Sequence, residues 1–174
     1  VEILIADSDD ESALDILTSR SRVILSAAGP FHRYGSKLVA SCIKNHAHYV
    51  DITGENFWVK GLIKKHHAEA SAKGIRIIPS CGFDSIPSDL GTFFSAQAIG
   101  KPIKRIESFH SYKGGASGGT LETMFSMGEL DLGDDLTDPF LLNPENSYSN
   151  EQKQLSSDKV GIARKPEISA WSGP

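Results

Sequence analysis

Three runs of apolar and β-branched residues stand out in the first half of the chain. They begin at Val23 (VILSAAGP), Tyr49 (YVDITGE) and Ile75 (IRIIPSCGFDS), each 26 residues after the last. A fourth run, Val1 to Asp7 (VEILIAD), begins 22 residues before Val23. The runs share no side-chain pattern, so they do not form a repeat array. The interval is that of one strand plus one crossover helix.

The segments between the runs carry apolar residues at helical spacing. Asp9 or Asp10 is placed to cap a short helix with Ala13, Leu14, Ile16 and Leu17 on its inner face. After Gly35, the residues Leu38, Val39, Cys42 and Ile43 fall on one stripe, and after Glu55 so do Trp58, Val59, Leu62 and Ile63. Gly74 sits where a left-handed C-terminal cap is wanted. After Ser85, with Pro87 in the first turn, Leu90, Phe93 and Phe94 continue the pattern to Gly100. Trp58 and the two phenylalanines are expected to pack helices onto the sheet. This alternation predicts an α/β fold, a parallel sheet with right-handed crossovers and helices on both faces.

The pattern changes after Gly100. Ile103 to Tyr112 (IKRIESFHSY) is charged and mixed, which suits a half-exposed sheet in a second, α+β domain. The run Gly114 to Gly119 (GGASGG) follows, and Thr120 is placed to cap a helix with Leu121, Met124 and Phe125. Residues 131–159 are rich in Asp, Asn, Ser and Gln and read as a long loop, and Ala170 to Pro174 carry no closing element. The predicted division is residues 1–100 and 101–174, with the boundary near Gly100 and Pro102.

Composition narrows the function. The 174 residues carry 18 Lys+Arg against 22 Asp+Glu, a net charge of −4, with no clustered basic face for nucleic acid. Two cysteines, Cys42 and Cys81, cannot form a disulfide framework, which favours a reducing compartment. No window approaches 18 uninterrupted apolar residues, as a membrane span requires. His46 and His48, and the adjacent His66 and His67, lack a matching second cluster, so no metal site is expected and surface positions at helix ends are.

In an open parallel sheet, ligands bind beyond the carboxyl ends of the strands. Those ends are Asp7, then Ala27 to Pro30, then Thr53 to Glu55, then Ser80 to Asp84. Three of these turns hold glycine, and following helix N-termini would offer N–H groups to an anionic cofactor; the glycines serve equally to make tight turns. Glu55 and Asp84 are candidates for acid–base chemistry or for capping the helix that follows each. Cys81 is a crevice thiol or a small buried hydrophobe. Tyr34 and Lys37 lack a partner serine for reductase chemistry. No GxGxxG opens a helix after a strand; the nearest string, Gly114 to Gly119, reads as a weak phosphate site, a hairpin or a substrate loop.

Ser26 to Glu55 (SAAGPFHRYGSKLVASCIKNHAHYVDITGE), Ile77 to Gly91 (IIPSCGFDSIPSDLG) and Lys113 to Thr123 (KGGASGGTLET) resemble the saccharopine dehydrogenase-like oxidoreductases. The resemblance covers about Val23 to Thr123. It implies an incomplete Rossmann-like doubly wound sheet that binds NAD or NADP, then part of a substrate or dimerisation domain. Carried over, Ala28, Gly29 and Pro30 would lie by the nicotinamide and its ribose, and Asp7 near the adenine. Gly54 and Glu55 would form the next turn of the cofactor site, and Gly82, Phe83 and Asp84 the hinge. Lys113, Gly114, Gly115, Ser117, Gly118, Gly119 and Thr120 would form the substrate loop.

The family's glycine-rich phosphate loop is not in the sequence, so the chain reads as an internal segment, inactive alone. A first strand with an open edge would then self-associate. The implied activity is hydride transfer to a small or lipid-linked substrate. The implied partners are a small molecule, a second copy, and a membrane or lipid-droplet surface. The implied compartment is intracellular: mitochondrial, lipid-associated or cytoplasmic. The rival reading is a nucleotide-binding or scaffold protein without turnover.

Overall fold

A computed structural model describes residues 2–103, 106, 108, 114–115, 117–136, 138–144, 147–157, 163–165 and 170–172. The chain forms two compact units, Val1–Leu132 and Gly133–Pro174.

The first unit is α/β. Three strands, β1 (Val23–Ser26), β2 (His48–Asp51) and β3 (Ile77–Ile78), lie in the order β1-β2-β3. Both pairings are parallel, with Ile24 opposite Tyr49 and Tyr49 opposite Ile77. Helix α2 (Phe31–Lys44) crosses from β1 to β2, and α3 (Asn56–Ala72) from β2 to β3. The core joins Ile24 and Tyr49 to Val39, Cys42 and Ile43 of α2 and to Trp58, Val59 and Leu62 of α3. The predicted stripes are the ones that pack, except that Ile16 and Ile63 are exposed.

Both helices lie over the same face of the sheet, which corrects the expectation of two covered faces. Strand order supplies the reason: successive right-handed crossovers that advance in one direction place their helices on one side. On the other face Val23, Ile78 and Leu25, which is 70% exposed, stand open among the described residues. The sheet is thus half of a doubly wound arrangement.

Helix α1 (Glu11–Ser19) is capped by Asp10, whose carboxylate accepts from the N–H groups of Ser12 and Ala13 at 2.9 and 3.1 Å. It packs on α2 through a polar seam in which Thr18 Oγ1 and Ser41 Oγ are 2.8 Å apart and Ser41 Oγ donates to Asp15 at 2.6 Å. Glu2 to Ala6, read as a strand, form no regular element. Alternation alone is insufficient, because a strand exists by its ladder, and none of the described strands pairs with this run.

Gly74, at φ +66°, ends α3 in a Schellman pattern: Gly74 N–H donates to Ser71 O and Ile75 N–H to Ala70 O. Helix α4 (Ile86–Ile99) carries Pro87 in its first turn and ends at Gly100, at φ +59°. It buries no residue, and Phe93 and Phe94, expected to pack on the sheet, are exposed. It follows β3, the last strand of the sheet among the described residues.

Helix α5 (Gly118–Gly128) begins three residues earlier than predicted. Its N-cap is Ser117, whose Oγ accepts from Thr120 N–H at 3.2 Å, so Thr120 lies inside the first turn. Most of the run from Ile103 to Tyr112 lies outside the described residues.

The second unit contains more order than its composition suggested. A 3-10 turn spans Gly133–Leu136, and helix α6 spans Asn150–Ser157. Ser149 and Gln152 form a reciprocal capping box at 3.1 and 2.7 Å, a signal that the loop-like composition obscures. Phe140 and Tyr148 stack with centroids 4.3 Å apart. Near the end of the chain β4 (Ala163–Lys165) and β5 (Ala170–Ser172) pair antiparallel.

Candidate functional site

The three strands end side by side, and so do the turns that follow them. On the helix-covered face, the row Ile24, Tyr49 and Ile77 is apolar, whereas the next row toward the carboxyl ends is Ser26 and Asp51. The buried layer becomes polar one pleat before the strands stop.

Two buried carboxylates organise the turns. Asp51 Oδ1 accepts from Thr53 N–H at 3.0 Å and from Ser80 N–H at 2.9 Å, and the Asp51 carbonyl accepts from Cys81 N–H at 2.7 Å. Asp51 therefore ties the β2 end to the turn after β3. Burial first, and the charge of Asp51 second, push the pKa of the neighbouring Tyr49 phenol well above the ordinary tyrosine value.

Glu55, 1% exposed, ties β2 to the turn after β1. Its Oε1 accepts from Phe31 N–H at 2.7 Å, and its Oε2 from His32 N–H at 2.7 Å. His32 Nδ1 lies 2.6 Å from the same Oε2, and the His32 ring leans on Phe57 at 5.6 Å. Glu55 backbone N–H donates to Thr53 Oγ1 at 3.0 Å.

These bonds overturn the capping expectation. Glu55 occupies the N-cap position of α3 but gives that helix no side-chain bond; its carboxylate caps α2, whose own N-cap, Pro30, has no side-chain acceptor. The N–H groups of Phe31 and His32 are accordingly not free for an anionic ligand. Helix α2 also starts earlier than predicted and takes in Gly35. A Cβ there would stand 2.6 Å from Trp58 Cζ2, so glycine is retained inside the helix for close approach. Asp84 does not cap α4 either; the N-cap is Ser85, without a side-chain bond.

The structure groups eight of the nine predicted cofactor-binding residues at this edge, all but Asp7. Ala28 is exposed before Gly29 and the Pro30 that opens α2. Gly54, Gly82 and Asp84 converge: a Cβ on Gly82 would stand 2.7 Å from Asp84 Oδ1 and 3.2 Å from Ile52 Cβ, and one on Gly54 would stand 4.0 Å from Asp84 Oδ2. Phe83 is 74% exposed beside them. Asp7 sits in the turn into α1, where its Oδ1 accepts from Asp9 N–H at 2.8 Å, and Lys37 anchors that turn through Asp9 at 2.7 Å.

Of the substrate-loop candidates, Gly114 and Gly115 precede α5, Ser117 caps it, and Gly118, Gly119 and Thr120 form its first turn. Lys113 lies outside the described residues. Arg33 of α2 reaches Glu129 of α5 at 3.2 Å and Glu122 at 3.7 Å.

The edge fits one half of a dinucleotide better than the other. Small residues with exposed backbone at Ala27, Ala28 and Gly54 leave room for a flat ring and a ribose. A pyrophosphate finds less: the first N–H groups of α2 are taken by Glu55, and the converging side chain at Gly54 and Gly82 is the Asp84 carboxylate.

Elsewhere, a cavity of about 430 Å³ runs between α3 and β3, lined by apolar side chains with His66 among them. His66 is 9% exposed and its Nε2 has no hydrogen-bond partner among the described residues, which corrects its predicted surface position. Trp58 packs in the core as expected, donating from Nε1 to Ser36 Oγ at 2.9 Å. Cys81 is half-buried, with its thiol 3.3 Å from the Ile78 carbonyl. Among the described residues no group of His, Cys, Asp and Glu is arranged for a metal ion, and no helix is long and apolar enough to cross a membrane.

The family model for the saccharopine dehydrogenase NADP-binding domain matches residues 1–78. A Mycobacterium tuberculosis protein named as a trans-acting enoyl reductase is 35% identical over 184 aligned positions, covering 98% of this chain and 44% of that protein. The human saccharopine dehydrogenase-like oxidoreductase is 36% identical over 118 positions, 68% of this chain and 28% of its own length. A Caenorhabditis elegans protein named for its lipid-droplet localisation is 34% identical over 127 positions, 70% of this chain and 30% of its own. The chain thus spans less than half the length of these relatives. No solved structure matches. The Rossmann-type sheet, the turns gathered at its carboxyl edge and these likenesses together place the chain in the saccharopine dehydrogenase-like oxidoreductase family.

Proposed function

We propose that the carboxyl edge of the sheet holds the nicotinamide end of NAD or NADP in a protein that transfers hydride to or from a small or lipid-linked substrate. Residues 1–100 form the nucleotide-binding part in this reading, and residues 101–174 belong to a domain that covers the substrate. The observation that carries it is the convergence of three parallel strand ends on small residues, with Gly54 and Gly82 meeting at Asp84. Ala28, Gly29 and Pro30 form one wall, and Gly82, Phe83 and Asp84 the other. Asp7 lies on the adenine side.

The bound cofactor supplies the hydride chemistry; the chain's part is to seat the ring and exclude water. The names of the mycobacterial and nematode relatives support a lipid-linked substrate and peripheral association with a lipid surface. A second copy is the proposed protein partner. Titration of the protein at its native full length with NADPH and NADH, followed by nicotinamide fluorescence, tests the reading. Saturable enhancement with either is expected, and no change with both refutes it.

A second reading, nucleotide binding without turnover, is favoured by the state of Glu55 and Asp84, the two carboxylates that are candidates for acid–base chemistry. Glu55 is spent on internal bonds and Asp84 is exposed. Cofactor oxidation with any of a panel of imines, keto acids and enoyl thioesters decides for the enzyme.

A further inference from the structure

We infer that Glu55 is a positioning residue for the cofactor turn: it acts through Phe31 and His32, holding Ala28-Gly29-Pro30 at a fixed distance from the turn after β2. The inference rests on the cofactor reading above and deepens it. Four observations converge. The carboxylate is buried, and both its oxygens are used, by Phe31 N–H, His32 N–H and His32 Nδ1. Those donors belong to the residues immediately after Gly29-Pro30, 23 and 24 positions away in sequence. Pro30 provides no side-chain cap, so the first turn of α2 depends on the Glu55 carboxylate. The backbone of Glu55 is itself fixed through Thr53 and thence through Asp51, which also fixes Ser80 and Cys81. The three turns of the edge thus form one connected set of hydrogen bonds, in which the Glu55 carboxylate links the turn after β2 to the first turn of α2.

The charge matters as much as the contact. A helix N-terminus favours an anion, and the buried Glu55 carboxylate faces two backbone N–H donors of the first turn of α2 and the His32 ring. Glutamine has the same shape but only one acceptor oxygen. If its amide nitrogen takes the place of Oε1, Phe31 N–H faces a donor; if it takes the place of Oε2, His32 N–H does. One backbone N–H of the first turn loses its acceptor in either orientation. The turn should then drift by a fraction of an ångström, enough to spoil the fit of a ring stacked against backbone.

The test uses the protein at its native full length, with NADPH affinity as the readout, comparing wild type, Glu55→Gln and Thr18→Ala. Thr18→Ala cuts a buried hydrogen-bonded seam between α1 and α2, away from the edge, and controls for general loss of stability. At a temperature where all three are folded by circular dichroism, Glu55→Gln is expected to weaken NADPH binding by about tenfold or more, while Thr18→Ala leaves it unchanged. In ¹⁵N spectra, the His32 Nδ1 signal should lose its carboxylate-bonded position in Glu55→Gln.

A second measurement needs no variant. NADPH saturation of the wild type should slow hydrogen exchange at the Phe31 and His32 amides more than at Thr18. Equal binding by wild type and Glu55→Gln overturns the positioning role and leaves the cofactor reading intact. If Glu55→Gln does not fold, unchanged exchange at Phe31 and His32 overturns it instead. Wild type that binds neither NADPH nor NADH refutes both.

Discussion

Gly35 and Gly61 both lie inside helices, and the same substitution is expected to act on them with opposite signs. Glycine in a helix interior costs about 1 kcal/mol relative to alanine, so propensity alone favours Gly→Ala at both. At Gly61 of α3 a Cβ would meet nothing within 4 Å, and Gly61→Ala should raise stability by about 0.5–1 kcal/mol. At Gly35 of α2 the new Cβ would stand 2.6 Å from Trp58 Cζ2 and 2.9 Å from Cη2. Restoring an ordinary contact of about 3.4 Å needs a shift of about 0.8 Å. Trp58 has little freedom to give it. Its ring is buried, its Nε1 is bonded to Ser36 at 2.9 Å, and Phe31 packs at 5.9 Å on the ring.

Overpacking of this kind costs about 1–3 kcal/mol, and a disturbed Trp58–Ser36 bond about 1 kcal/mol more. After the propensity gain, a net loss of about 1–3 kcal/mol remains. Urea unfolding followed by far-ultraviolet circular dichroism reads this as a lower midpoint at unchanged slope for Gly35→Ala, and a higher one for Gly61→Ala. In a Trp58→Phe background the two clashing atoms are gone, and Gly35→Ala should become neutral or stabilising. A Gly35→Ala protein as stable as wild type, or an unchanged effect in the Trp58→Phe background, refutes the packing argument.

Two further predictions concern titratable groups. Burial pushes the Cys42 thiol up to about 12, whereas Cys81 is half-buried at the crevice, so native protein at pH 8 should react with Ellman's reagent at one thiol and denatured protein at two; two fast native thiols would refute this. His66 lies below the ordinary 6.5, chiefly from burial, with Lys65 adding to the shift and Glu69 opposing it. Below about pH 6.5 the unfolded chain therefore binds a proton that the fold disfavours, and stability falls as the pH drops. Urea midpoints at pH 7.5 and 5.5 should differ less in His66→Leu than in wild type, and an equal difference refutes the assignment.

Much of the first unit was legible from spacing and end signals. The 26-residue interval located β1, β2 and β3, and Asp10, Gly74, Pro87 and Gly100 marked helix ends where they were expected. These signals are local, since each concerns one or two turns of backbone. What escaped was long-range. Gly35 read as a helix boundary because glycine is a poor helix former; its reason for being there, Trp58, lies across the α2–α3 interface. Glu55 read as the cap of its own helix because capping is ordinarily local; its actual partners lie behind it in sequence. The missing local signal was the absence of a capping side chain ahead of α2, where Gly29 and Pro30 stand, and that absence points to a donor-rich turn in need of an acceptor from elsewhere.

The sidedness of the sheet has the same origin. Spacing shows that strands and helices alternate but is silent on strand order, and order decides which face each crossover covers. With β1, β2 and β3 in sequence order, both α2 and α3 fall on one side, and the alternation along each strand then sorts the side chains. Ile24 and Tyr49 enter the core while Val23 and Leu25 are left on the open face. The same alternation delivers Ser26 and Asp51 to the covered face at the strand ends, where the packing helices give way to turns and buried backbone N–H groups need acceptors. A polar row at that level, apolar one pleat earlier, marks where the core ends and the candidate site begins. A carboxylate at Asp51 and another at Glu55 answer the demand of turns too short and too glycine-rich to satisfy themselves, and they hold the edge in one shape while leaving its outer surface small and open.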